Sequence, residues 1–316
     1  MRVVFMGTPK LAATILGELA RNHEVAGVFT RPDAVRGRGK KLVSSDVKAL
    51  AVELGIPVFT PASLKDGEAY EALASLEPEA VCVSAYGAIL PEDMLDIPPH
   101  GCLNVHTSLL PRWRGAAPIE RAILAGDEKT GVCIMHMETG LDTGPFCIRR
   151  ELEVGDRSAK ELTEALAIEG AAALLEALAL VESGNIFWTQ QGEEGVTYAQ
   201  KIVKGELNPL PEDDARTFVA KVRASSSAHP ARAQIAGRNL AIEGASAVSD
   251  GVGLDLCEGM TEQEARFRAK RLFVHAADGP VEIMRVRPDG KKSMDAKAFA
   301  GGIQGIKTAD IRWGSF

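Results

Sequence analysis

Short apolar runs alternate with helix-spaced apolar positions through the first hundred residues, and no other feature restricts the fold so strongly. Val3 to Met6 is an apolar run closed by Gly7; Pro9 stands where a helix would begin, and Leu11, Ile15, Leu16 and Leu19 follow at near-helical spacing. The pattern recurs as Val25 to Phe29, a helix over 45–54, a short strand around Val58, a helix over 68–76 and the run Ala80 to Ser84. Strands alternating with helices of about ten residues build parallel βαβ units, so an α/β domain with a doubly wound, parallel-rich sheet is predicted. Ligands of such a sheet bind at the carboxyl ends of its strands.

Further strands are predicted over 102–105, 132–137 and 146–152, with a long Ala/Leu/Glu helix over 159–181. The stretch VKGELNPLPEDD, rich in Pro, Gly and acid, has the composition of a linker. Beyond it, short alternating runs broken by Gly and Asp-Gly suit a small β-barrel. The predicted division is therefore 1–204 for the α/β domain and 205–316 for the barrel. Charge divides in the same place: residues 1–200 carry 18 Lys and Arg against 28 Asp and Glu, residues 201–316 carry 18 against 15. A net charge of −7 argues against a general nucleic-acid binder, whereas a mildly basic second domain suits a polyanion-binding appendage.

Cys82, Cys102, Cys133, Cys147 and Cys257 form no CxxC pair and lie mostly in apolar runs, as reduced buried thiols of a cytoplasmic protein do. No apolar run is long enough to span a membrane, and MRVVFMGTP has no signal-peptide pattern, so a soluble protein without membrane contact is expected.

Gly7-Thr8-Pro9-Lys10 lacks the second and third glycines of a dinucleotide fingerprint and reads as a plain tight turn. No P-loop, no HExxH and no His/Cys cluster of ligand spacing is present, so no metal is expected. The informative segment is LNVHTSLLPRWRGAAPI, where Asn104 and His106 alternate at the end of an apolar strand and so share one face. A lone His after a strand is usually just a satisfied imidazole. Here an amide two residues before it and a rigid polar loop after it favour chemistry. GLDTGP supplies an acid: Asp142 sits between Gly140 and Gly144, which let the backbone approach a ligand, although Asp in such a turn is often only a turn former. Amide, imidazole and carboxylate together suit transfer of an acyl group to an amine through a tetrahedral intermediate, with no Ser or Cys nucleophile.

These segments, with VFMGTP, VSAYGAILP, TYAQKI and KKSMDAKAF in the same order, resemble the 10-formyltetrahydrofolate-dependent formyltransferases over nearly the whole chain. RGAAPI and RGRGKKL resemble the branch of that family acting on methionyl-tRNA. The resemblance implies a Rossmann-like formyltransferase domain followed by an OB-like, tRNA-binding barrel. It also implies transfer of formyl from the co-substrate 10-formyltetrahydrofolate to the α-amino group of initiator methionyl-tRNA, for translation initiation. It makes Asn104, His106 and Asp142 the catalytic set, assigns folate contacts to Ser108, Leu109, Leu110 and Pro111, and lines the pterin pocket with Tyr86, Gly87, Ala88, Ile89 and Leu90. A cis peptide before Pro111 suits such a site. A monomer is expected.

The segment RPDAVRGRGKKLVSSDVK, residues 31–48, carries six basic residues against two acids. A charge run is ordinarily a solvated face, yet an excess of this size inside an acidic domain asks for more. By the resemblance this loop enters the acceptor stem, with Arg36, Arg38, Lys40 and Lys41 as tRNA contacts and Arg38 in the key position. An Arg there can stack, bind phosphate and fork onto a base edge, so Arg38→Lys would not be conservative. VRASSSAHPARAQI keeps only Pro230 of the family's Asn-Pro-Trp-Pro-like segment. Lys204, Arg223, Arg232, Arg238, Arg266, Arg268, Lys270, Arg271, Lys291 and Lys292 are candidates for a phosphate track. The alternatives are a folate enzyme acting on a small amine, such as glycinamide ribonucleotide or an amino sugar, and a non-catalytic folate- or RNA-binding protein.

Overall fold

The computed structural model describes residues 1–36, 41–65, 67–303 and 311–316, with the backbone alone for Arg36 and Lys41. Arg38 and Lys40 lie outside the described residues. The chain forms two compact units, one of 1–118, 129–153 and 162–199, the other of 119–128, 154–161 and 200–316.

In chain order the first half runs β1 (Arg2–Gly7), α1 (Lys10–Asn22), β2 (Glu24–Phe29), β3 (Ala34–Arg36), β4 (Lys41–Val43), α2 (Asp46–Glu53), β5 (Val58–Phe59), α3 (Gly67–Ser75), β6 (Ala80–Ser84), α4 (Glu92–Leu95), β7 (Cys102–His106), β8 (Arg114–Gly115), α5 (Pro118–Ala125), β9 (Lys129–His136), β10 (Phe146–Glu153), α6 (Ala159–Glu182) and β11 (Tyr198–Ala199). The main sheet has the order β10-β9-β7-β6-β1-β2-β5. From β7 to β5 every pairing is parallel, as the alternating pattern requires, while β9 and β10 join as an antiparallel edge. The turn after β1 is as tight as its sequence implies: a Cβ on Gly7 would lie 2.7 Å from Ala12 Cβ and 2.9 Å from Ser84 O.

Two features of this sheet aim the site. Val105 of β7 points at α6, so closely that a Cβ on Gly170 would stand 2.7 Å from Val105 Cγ1. By alternation Asn104 and His106 then project from the opposite face. The basic segment 31–48 begins as a two-stranded ribbon, β3 paired antiparallel with β4, and then enters α2, which Ser45 caps by accepting from Lys48 N. Val35, Leu42 and Val43 on that ribbon are exposed.

The second half contributes α7 (Ala215–Ala224), β12 (Ala231–Ile235), β13 (Arg238–Ala247), α8 (Gly251–Cys257), β14 (Glu264–Arg268), β15 (Arg271–His275), β16 (Pro280–Pro288), β17 (Met294–Asp295), α9 (Ala296–Gly301) and β18 (Ile311–Ser315). The order β13-β12-β18-β14-β15-β16 closes through a β13–β16 pairing into an antiparallel barrel, with β17 added to β16. Its core centres on Phe218, Val274, Val286, Phe299 and Trp313, where Phe218 meets Trp313 edge-on at 5.2 Å. The departing segment after α7 is a turn: Ser225 ends the helix, Ser226 N donates to His229 O, and β12 begins directly after Pro230.

Candidate active site

Asn104 and His106 stand on β7 as their spacing predicts, and the loop between β9 and β10 brings Asp142 to them. Asp142 Oδ2 lies 3.7 Å from His106 Nδ1, and Asn104 Nδ2 donates weakly to Asp142 Oδ1 at 3.5 Å. His106 is 5% exposed, so its second nitrogen needs a partner, and it has one: Nε2 is 2.9 Å from Trp113 O. A carbonyl oxygen can only accept, so Nε2 carries the hydrogen and the Nδ1 lone pair of the neutral ring faces Asp142. A proton arriving at His106 therefore lands on Nδ1, where the carboxylate stabilises the imidazolium that forms.

Two residues of this site hold left-handed backbone although neither is glycine: Asp142 at φ 51° and Trp113 at φ 63°. Such conformations cost free energy and persist only where neighbours fix them. Gly115 N donates to Asp142 Oδ2 at 2.8 Å, Trp113 N to Thr197 Oγ1 at 2.9 Å, and Gln191 Nε2 to both Asp142 O and Gly144 O at 2.9 and 2.7 Å. Arg114, 9% exposed, donates to Gln191 Oε1 from Nε and Nη2 at 3.0 and 2.8 Å. Sequence reasoning did not single out Gln191: a Gln in WTQQGEEG has no periodicity or neighbour to betray it, because its partners are backbone carbonyls distant in sequence. Arg114 and Thr197 lie within quoted segments, RWRGAAPI and TYAQKI, but their sequence gave no sign of these bonds.

The expected folate contacts follow the two neighbouring parallel strands β6 and β7. Ser108 is buried, its hydroxyl donating to Arg112 O at 2.6 Å, and Leu110 packs in a small core with Cys133 and Met135, so Leu110 can offer a ligand only backbone. Leu109 and Pro111 are half-buried, and the Leu110–Pro111 peptide is cis. After β6, Tyr86 and Leu90 are anchored in the core, Gly87 at φ 83° turns the chain, Ala88 is half-buried, and Ile89 stands 83% exposed. Thr8 Oγ1 ties this stretch to the β1 turn through Tyr86 O at 2.9 Å. Ser84 Oγ and Tyr86 Oη are buried without a partner among the described residues, and burial raises the Tyr86 phenol above its ordinary range.

Of the basic candidates, Arg38 and Lys40 cannot be placed, and Arg36 and Lys41 face one another across the ribbon as a backbone pair. In the second unit several cations are engaged internally: Arg232 with Asp289, Arg266 with Glu264, Arg271 with Asp250 and Glu282, and Arg223 with the carbonyls of Gly155 and Arg157. Lys204, Arg238, Arg268, Lys270, Lys291 and Lys292 are exposed. The cysteines are all free thiols. Cys133 pairs with His106 across the β7–β9 ladder, yet burial pushes its thiol up to about 11, so it is no thiolate nucleophile at neutral pH. Among the described residues no group of three or more His, Cys, Asp or Glu is placed to hold a metal, and no helix is long and apolar enough to cross a membrane.

A family model for formyl transferase matches residues 1–178, and one for the formyl transferase C-terminal domain matches 212–304. This chain belongs to the formyl transferase family. It is 48% identical over 302 residues to methionyl-tRNA formyltransferase of Stenotrophomonas maltophilia, covering 95% of this chain and 96% of that protein. To the methionyl-tRNA formyltransferase of Methylococcus capsulatus it is 42% identical over 301 residues, covering 95% and 96%. HypX from Aquifex aeolicus, solved with tetrahydrofolic acid, superposes with a TM-score of 0.68 at 19% identity over 98% of this chain, which spans 48% of that longer one. The sugar 3N-formyl transferase WlaRD, solved with dTDP and 5-N-formyl-THF, gives 0.66 at 13% identity over 92% of this chain and 99% of that one. At such identities the two structures show a shared fold.

Proposed function

We propose that this protein transfers the formyl group of 10-formyltetrahydrofolate to the α-amino group of methionyl initiator tRNA, with Asn104, His106 and Asp142 as the catalytic residues. The observation that carries the reading is the convergence of these three side chains from β7 and the β9–β10 loop, in a chain 42–48% identical over most of its length to methionyl-tRNA formyltransferases.

The donor supplies an activated formyl carbon. Tyr86 to Leu90 and Ser108 to Pro111 bind it, largely through backbone groups, as the buried Leu110 side chain requires. Asn104 uses its second N–H to stabilise negative charge growing on the formyl oxygen when the amine attacks. His106 Nδ1 takes the proton that the attacking amine sheds, and Asp142 stabilises the imidazolium at 3.7 Å. His106 then returns that proton to the folate nitrogen as the bond from formyl carbon to that nitrogen breaks. One N–C bond forms, one breaks, and one proton moves from amine to leaving nitrogen, so the sum balances without a covalent enzyme intermediate.

The tRNA is held by the basic segment 31–48, with Arg36, Arg38, Lys40 and Lys41 as its contacts, and by residues 205–316. The exposed Lys204, Arg268, Lys270, Lys291 and Lys292 are the phosphate candidates that remain after internal pairing, Arg238 being tied to Gly302 O. The protein works without a bound metal and as a cytoplasmic monomer. The test supplies 10-formyltetrahydrofolate with charged initiator tRNA, glycinamide ribonucleotide or an amino sugar in parallel. Formyl-methionyl-tRNA as the dominant product supports the reading; transfer to a small amine alone, or to nothing, overturns it.

A further inference from the structure

We infer that Gln191 is the positioning residue of the site: its amide, gripped by Arg114, fixes the left-handed turn that aims the Asp142 carboxylate. The kinetic consequence rests on the formyl-transfer reading above, whereas the geometry does not.

Asp142 lies between β9 and β10, where no ladder holds the backbone. Its φ of 51° is left-handed, a region that Asp tolerates better than most residues but that costs more than an extended or helical conformation and is selected here by its neighbours. Gln191 bonds the carbonyls on either side of Thr143, Asp142 O at 2.9 Å and Gly144 O at 2.7 Å, and so spans the turn. Its Oε1 accepts twice from Arg114, so the amide makes all four hydrogen bonds of which it is capable and has one orientation. The next residue, Gly115, donates its N–H to Asp142 Oδ2 at 2.8 Å. Two consecutive residues of β8 thus reach the same aspartate, one through Gln191 to its carbonyl and one directly to its carboxylate, closing a ring of hydrogen bonds.

The ring is anchored at both ends. Thr189 exchanges backbone bonds with Phe146 at 2.8 and 3.0 Å, directly after the Asp142 loop. Thr197 and Ala199 accept from Arg114 N and Ala116 N at 2.9 Å each. Segment 189–199 therefore stitches the loop that carries the carboxylate to the loop that carries Trp113, the partner of His106. Only Gln satisfies this position. Glu would keep Arg114 but set an oxygen against two carbonyl oxygens, and Asn is one methylene too short.

The purified full-length protein tests this with Gln191→Glu and Gln191→Ala. Two readouts are used: formyl-transfer kinetics with 10-formyltetrahydrofolate and methionyl-tRNA, and amide hydrogen exchange at Gly115, whose N–H reports the carboxylate because its neighbours' amides go to Thr197 O and Ala199 O instead. Both variants should lower kcat about 10- to 100-fold, the scale of a misplaced catalytic group. KM for each substrate should stay within about threefold, and Gly115 exchange should accelerate. Wild-type kcat in Gln191→Glu, a KM change without a kcat change, or a kcat loss with unaltered Gly115 exchange would each overturn the assignment. Should neither variant fold, the wild-type Gly115 amide decides: protection supports the carboxylate anchor, and exchange at the rate of an exposed amide overturns it. A wild-type protein that transfers no formyl group sinks the functional reading instead, and Gly115 exchange in the variants still judges the clamp.

Discussion

Asn104 and His106 differ from Asp142 in what holds them. The first two ride on β7, a central strand paired with β6 and β9, with α6 packed behind it at Gly170; their direction follows from the ladder. Asp142 rides on a loop in a disfavoured backbone conformation and is fixed by hydrogen bonds from Gly115 and Gln191. Strand-borne groups are positioned by local chemistry that any parallel sheet supplies, whereas the loop-borne group depends on partners far away in sequence. The loop should therefore be the more fragile half of the site, and substitutions that never touch substrate should damage it.

The largest effect is expected where the chemistry itself is removed. His106→Ala should lower formyl-transfer turnover by about 10²-fold or more, on the scale of losing an acid–base group, with binding of both substrates retained; steady-state kinetics at saturating donor check this, and an undiminished rate removes His106 from the mechanism. Next in size comes a lesion of the support alone. A Cβ on Gly144 would lie 1.9 Å from His136 O, so Gly144→Ala must displace the Asp142 loop while leaving β7 in place. A loss of about tenfold or more in kcat is expected, with the donor affinity unchanged in a folate-binding titration. If that variant matched wild type, the loop would be more tolerant than its geometry implies. The smallest effect on chemistry belongs to the basic segment 31–48. Arg38→Ala should raise KM for the tRNA, leave folate binding intact and reduce the slope of log affinity against log salt by about one; filter binding at several salt concentrations measures it, and an unaltered slope argues against a phosphate contact.

The same contrast explains what could be read from the sequence. The parallel strands announce themselves as apolar runs between helix-spaced segments, and Asn104 with His106 follow directly from period-two alternation. That β9 and β10 run antiparallel was not legible, because GVCIMHM is buried along nearly its whole length and an apolar run carries no direction. The two-residue strands β8 and β11 are below the length at which periodicity says anything. Gln191 escaped for a deeper reason. Its identity matters through backbone carbonyls and a guanidinium that are neighbours only after folding, and no local pattern encodes them. The barrel was legible as a class from its short alternating runs, but most of its charge could not be sorted in advance: Arg232, Arg266 and Arg271 are spent on internal pairs, and sequence alone counts them with the free lysines.

The central claim is that a strand-borne imidazole and a loop-borne carboxylate act as one unit in formyl transfer to methionyl-tRNA. Single-turnover transfer rates for wild type, His106→Ala, Asp142→Asn and the double variant test it most directly. Because groups that work as a unit are non-additive, the double variant should lose about as much as the worse single variant. Losses that multiply, each substitution exacting its full effect in the presence of the other, would show that the two residues act independently and would contradict the account.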